Sequence, residues 1–191
     1  LPHSGILTTP TFLNRFPTTP TNRNRHRARK IYEMFLATDI LRIAERPIDP
    51  TASGRYNNQT RDEPQCVGCH RQIDPVAGAF LKWNENDAER YEPDAEWHPE
   101  HFPPGFGKEV MDTRDYPRSE QWLAERIVRD PRFTLATVQT LYRGVTGHEP
   151  LTYPPDPDSP MFEANRRAWE AQDAAFSAVG AAFIDADMNL K

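Results

Sequence analysis

The sequence predicts an all-α protein with long irregular loops, and three observations support this class. Several segments show apolar residues at the spacing of an amphipathic helix, and none shows the alternation typical of a β-strand. The chain holds 19 prolines against 9 glycines, so rigid extended connections are expected between the helices. Only 37% of the 191 residues are hydrophobic, so few side chains are available to form a hydrophobic core for a chain of this length.

The first half is predicted to alternate between irregular segments and two helices. Residues 1–24 are rich in Thr, Pro and Asn and predict an extended, packed segment without a regular element. A helix is predicted from about Arg25 until Pro47 and Pro50, followed by an irregular segment up to residue 63. The buried face of this helix is predicted to comprise Ile31, Met34, Phe35, Thr38 and Leu41.

A short helix is predicted to begin near Pro64 and to stop before Pro75. Residues 83–118 then predict a long connection that needs a hydrophobic surface to lie on, because it is rich in aromatic residues. These aromatic residues are Trp83, Tyr91, Trp97, Phe102, Phe106 and Tyr116.

The C-terminal part predicts three helices, with N-caps at Ser119, Asp130 and Ser159. Gly147 is expected to end the second. The third holds an aromatic stripe whose ordinary interpretation is core, although a cofactor wall or a partner seam remains open. The stripe consists of Phe162, Trp169, Phe176 and Phe183. We therefore predict a first domain over residues 1–118 and a truncated helical annex over residues 119–191.

The charge of the chain is distributed unevenly. Six of the 23 Lys and Arg residues lie within residues 1–32, which contain no acid, so all 28 acids fall in the rest of the chain. The basic cluster at residues 23–30, "RNRHRARK", is a solvated helix start, a docking patch for an acidic partner, or a set of arginines that bind propionates. Nucleic acid is excluded as a partner because the acidic remainder would repel phosphate.

No apolar run is long enough to span a membrane, and the start of the chain lacks the features of a signal peptide. Both ends resemble the middle of a folded segment, so we expect the chain to be a piece of a longer polypeptide.

Both cysteines lie in the stretch "DEPQCVGCHRQIDP", as Cys66 and Cys69, with His70 directly after them. A zinc site would need a second pair of ligands, and a thioredoxin-like dithiol would need a βαβ setting. Covalent haem needs only the residues present, namely two thiols one helical turn apart and a histidine to ligate iron. The motif therefore predicts one covalently bound haem c, an extracytoplasmic location where such haem is attached, and no disulfide.

His70 is expected to bind iron through Nε2, which requires a hydrogen-bond acceptor for its other ring nitrogen. A backbone carbonyl of residues 72–78 is the expected acceptor, and the alternative interpretation of this segment is that Asp74 caps the turn.

Met111 is the preferred candidate for the second axial ligand. It lies in a Pro- and Gly-rich segment just before the helix at Ser119, and the order of haem helix, loop, methionine and closing helix is that of class I cytochromes c. The remaining alternatives are His26, His98, His101 and an open iron. Met34 is interpreted as a core residue.

The stretches "GILTTPTFLNRFPTTPTNRNRHRARKIYEMFL" and "CVGCHRQIDPVAGAFLKW" resemble the cytochrome c-like domain of large secreted proteins of planctomycetes and related bacteria. That family shares a G-x-L-T-x-P-x-F-L opening, an arginine-rich helix start, and C-x-x-C-H followed by I-D-P-x-G. This chain departs from it by one extra residue before Gly78. The segment "WLAERIVRDPRFTLATVQTLYRGVTGHEPL" resembles the helical domain that usually follows.

The resemblance implies a single covalent haem on Cys66 and Cys69, His70 as axial ligand, and membership of a longer extracytoplasmic protein. It implies no particular reaction. The function expected from the residues is one-electron transfer to a redox partner protein or to another part of the same polypeptide. The alternatives are a haem enzyme module, with an open iron and His98 or His101 as acid or base, and a module in which haem completes the core.

Overall fold

A computed structural model of the chain describes residues 3–43, 59–83 and 90–190. About 60% of the protein is helical and its sheet has two short strands, which confirms the predominantly helical class. The α-helices are α1 (Pro10–Arg15), α2 (Arg25–Phe35), α3 (Gln59–Asp62), α4 (Pro64–Gly78), α5 (Ser119–Arg129), α6 (Pro131–Thr146) and α7 (Phe162–Asp185). Short 3₁₀ helices occupy Gly5–Thr8, Ile40–Ile43 and Thr113–Arg118.

The prediction of an irregular N-terminal segment is wrong, because residues 5–15 form a 3₁₀ turn followed by α1. Thr9 is the N-cap of α1, where its hydroxyl accepts a hydrogen bond from the Phe12 amide, and Pro10 takes the first helical position. The helix buries Phe12 and Leu13 in the core. These capping residues were visible in the sequence, but the helix is too short to show a clear apolar period.

Helix α2 ends earlier than predicted, since its last residue is Phe35 and the chain then turns through Ala37 at a positive φ of 46°. The predicted face is therefore broken, and Met34 and Leu41 are 40% and 50% exposed rather than core residues. Pro47 and Pro50 lie outside the described residues.

Helix α4 continues through Pro75 to Gly78, so the prediction that it stops before the proline is also wrong. Pro75 removes one amide donor, but Arg71, four residues earlier, is exposed, so water can satisfy its carbonyl. The additional turn buries Val76 and Ala77.

The long connection before α5 contains a β-hairpin that the sequence did not predict. Its strands are β1 (Gly105–Phe106) and β2 (Glu109–Val110), which pair antiparallel. A side chain at Gly105 would collide with the Glu109 carbonyl, and one at Gly78 would collide with Pro104. Glycine at these two positions lets the hairpin close and lets the chain before it lie against the end of α4. Residues 84–89 of this connection lie outside the described residues.

The three C-terminal helices form as predicted, with small differences at their starts. Asp130 caps α6 through the Arg132 amide, and Gly147 ends it at a φ of 71°. Helix α7 begins at Phe162, since Ser159 precedes it as part of a turn. In the aromatic stripe, Phe176 packs on Tyr142, whereas Phe162 and Trp169 both pack on Tyr153.

The chain divides into two compact units, one of residues 1–33 and 38–129 and one of residues 34–37 and 130–191. The division follows α5, whereas the sequence suggested a boundary before it, at residue 118. Helix α5 belongs to the first unit because Ser119 donates a 2.6 Å hydrogen bond to the Ala79 carbonyl. Arg126, on the same helix, pairs with Glu109 of β2. None of the helices in the described part of the chain is long and apolar enough to cross a membrane.

Glu120 is a fully buried acid in the first unit, and within the part of the chain that the structure describes neither of its carboxyl oxygens makes a well-formed hydrogen bond. The neighbouring Ser119 hydroxyl donates to Ala79, and the buried Trp83 indole lies near the carboxyl group of Glu120 without forming a well-aligned hydrogen bond. Burial raises the pKa of Glu120, and the hydrogen-bonding groups near it do not offset this effect.

We expect Glu120→Gln to raise the free energy of unfolding at neutral pH, because the unfolded chain gains free energy by ionising Glu120 that the folded chain does not. Since the pKa is raised on folding, this gain should disappear below about pH 4, where the unfolded carboxyl is protonated too. Urea denaturation at both pH values measures it, with the exposed Glu125→Gln as control. A neutral-pH stability equal to that of wild type would contradict the prediction.

Candidate cofactor-binding site

The three residues of the C-x-x-C-H motif lie in the first two turns of α4. Pro64 takes the first helical position, which starts the helix just before Cys66. Cys66, Cys69 and His70 are spaced three and four residues apart, so they share one face of the helix, and all three are half-buried. This face thus presents two sulfur atoms and one imidazole side by side.

Both cysteines are free thiols. The Cys66 sulfur lies 3.7 Å from Glu63 Oε2, and the Cys69 sulfur lies 3.5 Å from the Ile40 carbonyl. Burial raises the pKa of both thiols, and the Glu63 carboxylate raises that of Cys66 further. Reactive dithiols of oxidoreductases instead have a lowered thiol pKa, so this environment disfavours thiol redox chemistry.

His70 is oriented by Asp74, one turn further along α4. The imidazole Nδ1 lies 2.9 Å from Asp74 Oδ1. An ionised carboxylate only accepts hydrogen bonds, so the proton is on Nδ1 and the lone pair is on Nε2. The expectation of a backbone carbonyl as acceptor is therefore wrong. The requirement behind it, a fixed Nδ1–H that leaves Nε2 able to bind metal, is met by the Asp74 side chain.

The Asp74 carboxylate is completely buried, and a cation compensates its charge. Arg25 of α2 donates from Nε to Oδ1 at 2.7 Å, and its Nη2 lies 3.4 Å from Oδ2. Burial acts to raise the pKa of Asp74, but the hydrogen bonds from His70 and Arg25 outweigh it and hold this pKa below its usual value. Asp74 is therefore ionised at neutral pH.

His101 lies on the other oxygen of Asp74, with its Nδ1 3.5 Å from Oδ2. Its Nε2 lies 3.1 Å from Nη1 of Arg23, and Arg25 contacts its Nδ1. Arginine only donates, and a neutral imidazole has one accepting nitrogen, so the ring accepts a hydrogen bond from one of the two arginines. Burial and the two arginines lower the pKa of His101 to about 4, so its ring is neutral.

The arginines of the basic cluster at residues 23–30 mostly contact groups inside the first unit. This argues against a docking patch, which is one of the three interpretations of the cluster. Arg23 and Arg25 bind the groups around Asp74, and Arg23 also pairs with Glu100 at 2.6 Å. Arg27 is fully buried, donates to the carbonyls of Phe16 and Leu13, and has its pKa lowered to about 10 by burial. These arginines are structural and do not form a solvated docking patch.

The candidates for the second axial ligand occupy different places. His101 contacts Asp74, behind Nδ1 of His70, so it lies on the side of the ring away from Nε2. His98 packs against His101, with ring centroids 5.6 Å apart, and therefore lies in the same region. His26 packs edge-on against Phe16.

Met111 follows β2 directly and is 2% exposed. Its amide donates to the Pro104 carbonyl at 2.7 Å, and Pro104 packs on Gly78 at the end of α4. The methionine is thus held at the C-terminal end of the helix that begins with the motif, and its role as ligand stays a prediction.

A cavity of about 910 Å³ opens beside this network. It is lined by residues between 93 and 104 together with Arg61, Lys82, Thr113 and Tyr116. Lys82 donates to the Pro93 and Ala95 carbonyls and Arg61 donates to the Pro99 carbonyl, so both cations hold the loop in place. His101 lines the cavity, but the three motif residues do not.

The motif residues fit a covalently attached haem. The two thiols are free, lie one turn apart, and share a face with an imidazole whose Nδ1 is already occupied. Within the described residues, no group of three or more His, Cys, Asp or Glu side chains has the arrangement of a metal site. In comparisons with family models, curated proteins and solved structures, the chain matches none of them.

The residues that surround Asp74 were missed by sequence reasoning. The spacing of His70 and Asp74 by four residues on a helix was a usable indication, because such residues are neighbours on one face. It was not used because Asp74 was considered as a cap of the turn instead. Nothing local in the sequence links Arg25 or His101 to Asp74, since they are brought together only by the fold.

We expect Arg25→Leu to lower the free energy of unfolding by about 3 kcal/mol, because it leaves the buried Asp74 charge without its cation. The matched control on the same helix is Lys30→Leu, which removes an exposed pair with Glu33 and should cost less than about 1 kcal/mol. Because the pKa of Asp74 is lowered on folding, the effect of Arg25→Leu should diminish as the pH falls below about 4. Equal effects of the two variants at neutral pH, measured by urea denaturation, would contradict the assignment.

Proposed function

We propose that this chain is a monohaem c-type cytochrome domain that transfers single electrons outside the cytoplasm, as part of a larger protein or complex. The observation that best supports the proposal is the geometry of His70. Its Nδ1 is fixed on Asp74, which leaves Nε2 as the nitrogen that can bind iron, and the spacing along α4 puts Cys66 and Cys69 on the same helix face as His70. Zinc would need a further set of ligands, and no group of three or more such side chains is arranged for it within the described residues. The raised pKa values of both thiols disfavour thiol redox chemistry.

Each motif residue has a distinct role in the proposal. Cys66 and Cys69 anchor the haem through two thioether bonds, and His70 binds its iron through Nε2. Asp74 fixes the tautomer and the direction of the imidazole. When bound, the haem supplies a one-electron couple, and the protein sets its potential through axial ligands, burial and hydrogen bonds.

We also propose that the first unit has the arrangement of a class I cytochrome c. Helix α4 starts with the motif, a long connection follows, Met111 is buried at its end, and α5 closes the unit. In this arrangement Met111 would be the second residue that holds the iron, and its thioether would raise the potential relative to a second histidine.

The position of His101 favours the electron carrier over the enzyme alternative. An enzyme module would require an acid or base opposite His70, and His98 or His101 was the candidate. His101 is instead held on Asp74, on the His70 side of the site, and the buried ring is neutral. The expected partner is therefore a redox protein, or another part of the same polypeptide, that exchanges electrons with the haem.

The test of haem attachment is to produce the chain in a bacterium that matures c-type cytochromes. We expect one haem per chain that remains bound after denaturation, and a reduced spectrum of the c type. Cys66→Ser and Cys69→Ser should each remove one thioether bond, and the double variant should bind no haem covalently. A chain that stays free of haem while a reference cytochrome is matured in the same cells would contradict the proposal.

The test of the second ligand is Met111→Leu, which conserves the packing volume at this buried position. We expect the oxidised wild type to show the weak far-red band of methionine-ligated haem, and the variant to lose it and to have a lower reduction potential. Met161→Leu, at a position that is 57% exposed, is the control and should change neither. A far-red band that persists in Met111→Leu would show that another residue is the ligand.

A further inference from the structure

We propose that the Asp74 carboxylate, with Arg25 and His101 around it, is a device that lowers the reduction potential of the haem bound by His70. The inference rests on the proposed function and extends it by naming a residue that sets the potential of the haem relative to that with a neutral hydrogen-bond acceptor. It assigns to Asp74 a positioning and tuning role through His70, without direct contact with the haem.

The first step concerns the hydrogen bond between His70 and Asp74. A neutral carbonyl acceptor leaves an imidazole close to its ordinary basicity, whereas an ionised carboxylate draws the Nδ1 proton toward itself and makes Nε2 more basic. The Nδ1 to Oδ1 distance of 2.9 Å lies within the range of charge-assisted hydrogen bonds. A more basic Nε2 stabilises the oxidised iron more than the reduced iron, so the potential falls.

The second step concerns the burial of the acceptor. Asp74 is 0% exposed, so water does not screen the carboxylate, and its effect on His70 is larger than that of a surface acid would be. Arg25 shares Oδ1 with His70 and so moderates the effect. It also keeps the buried group ionised, because an isolated carboxylate in this position would take up a proton instead.

The third step concerns the contacts that connect Asp74 to the protein surface. The Nδ1 of His101 lies 3.5 Å from Oδ2 of Asp74, and its Nε2 lies 3.1 Å from Nη1 of Arg23. Arg23 pairs in turn with Glu100, whose side chain is 47% exposed. The second oxygen of the carboxylate is therefore held by a chain of contacts that ends at an exposed side chain, while the first oxygen accepts from His70 and Arg25.

A purely structural role for Asp74, as the link between α2 and α4, makes a different prediction. It predicts that a substitution changes stability and leaves the potential of the attached haem unchanged. The midpoint potential therefore separates the two roles, and covalent haem content shows independently whether the proposed function holds.

The test compares wild type, Asp74→Asn and Asp74→Glu, each matured with haem. Asparagine keeps the shape and offers a neutral acceptor, so we expect the equilibrium constant for reduction to rise about tenfold, an increase of about 59 mV for a one-electron couple. Glutamate restores the carboxylate and should return the potential most of the way to wild type. Asp130→Asn, at an aspartate paired with Arg132 in the second unit, is the control for charge removal and should leave the potential unchanged.

A measurement on wild type alone covers the case in which the Asp74 variants do not fold. In the reduced, diamagnetic protein, the Nδ1 proton of His70 should give a slowly exchanging NMR resonance, shifted downfield by its carboxylate acceptor. An unchanged potential in Asp74→Asn, or an Nδ1 proton that exchanges rapidly in wild type, would overturn this inference while leaving haem attachment intact. Absence of covalent haem from the wild type would instead overturn the proposed function itself.

Discussion

The burial of one carboxylate, that of Asp74, is the constraint on which the arrangement of the site depends. A buried charge without partners costs several kcal/mol or more, so the chain must bring donors to it. One donor comes from the same helix, His70, and another comes from α2, Arg25. The carboxylate of Asp74 therefore both fixes the imidazole of His70 and joins α2 to α4. The cluster of His70, Asp74 and Arg25 therefore both orients the candidate iron ligand and stabilises the fold.

The start of α2 has a second buried polar contact beside the first. Arg27 donates to Asn24 and to the carbonyls of Phe16 and Leu13, which ties α1 to α2. Asn24 in turn donates to the Phe80 carbonyl just after α4. The stretch from Asn24 to Arg27 therefore places its charged and polar side chains inside the unit. The chain has few hydrophobic residues, and buried hydrogen bonds between polar groups supply some of the contacts between its helices.

Features that depend on local sequence patterns, such as helix caps, were mostly predicted from the sequence. Contacts between residues that are distant in the sequence were not. The caps of α6 at Asp130 and Gly147 follow from the preferences of aspartate and glycine at helix ends, and both were predicted at the right positions. The end of α4 was misplaced because Pro75 is a helix breaker in most contexts, and its toleration depends on the exposure of the preceding turn. The acceptor for His70 was misassigned because Asp74 was considered as a turn cap, although residues four apart on a helix are neighbours on one face. His101 could be noted only as a candidate ligand, because its contact with Asp74 spans a segment with no periodic pattern.

The measurement that tests the central claim most directly is a crystal structure of the chain after maturation in cells that attach haem c. The expected result is a haem joined to the sulfur atoms of Cys66 and Cys69, with iron on Nε2 of His70 and Nδ1 within hydrogen-bond distance of Asp74. Two unmodified thiols after such maturation would contradict the assignment of this helix as a haem-binding element. A haem whose iron is bound elsewhere, with His70 turned away from it, would contradict the proposed role of Asp74 in orienting and tuning the axial ligand.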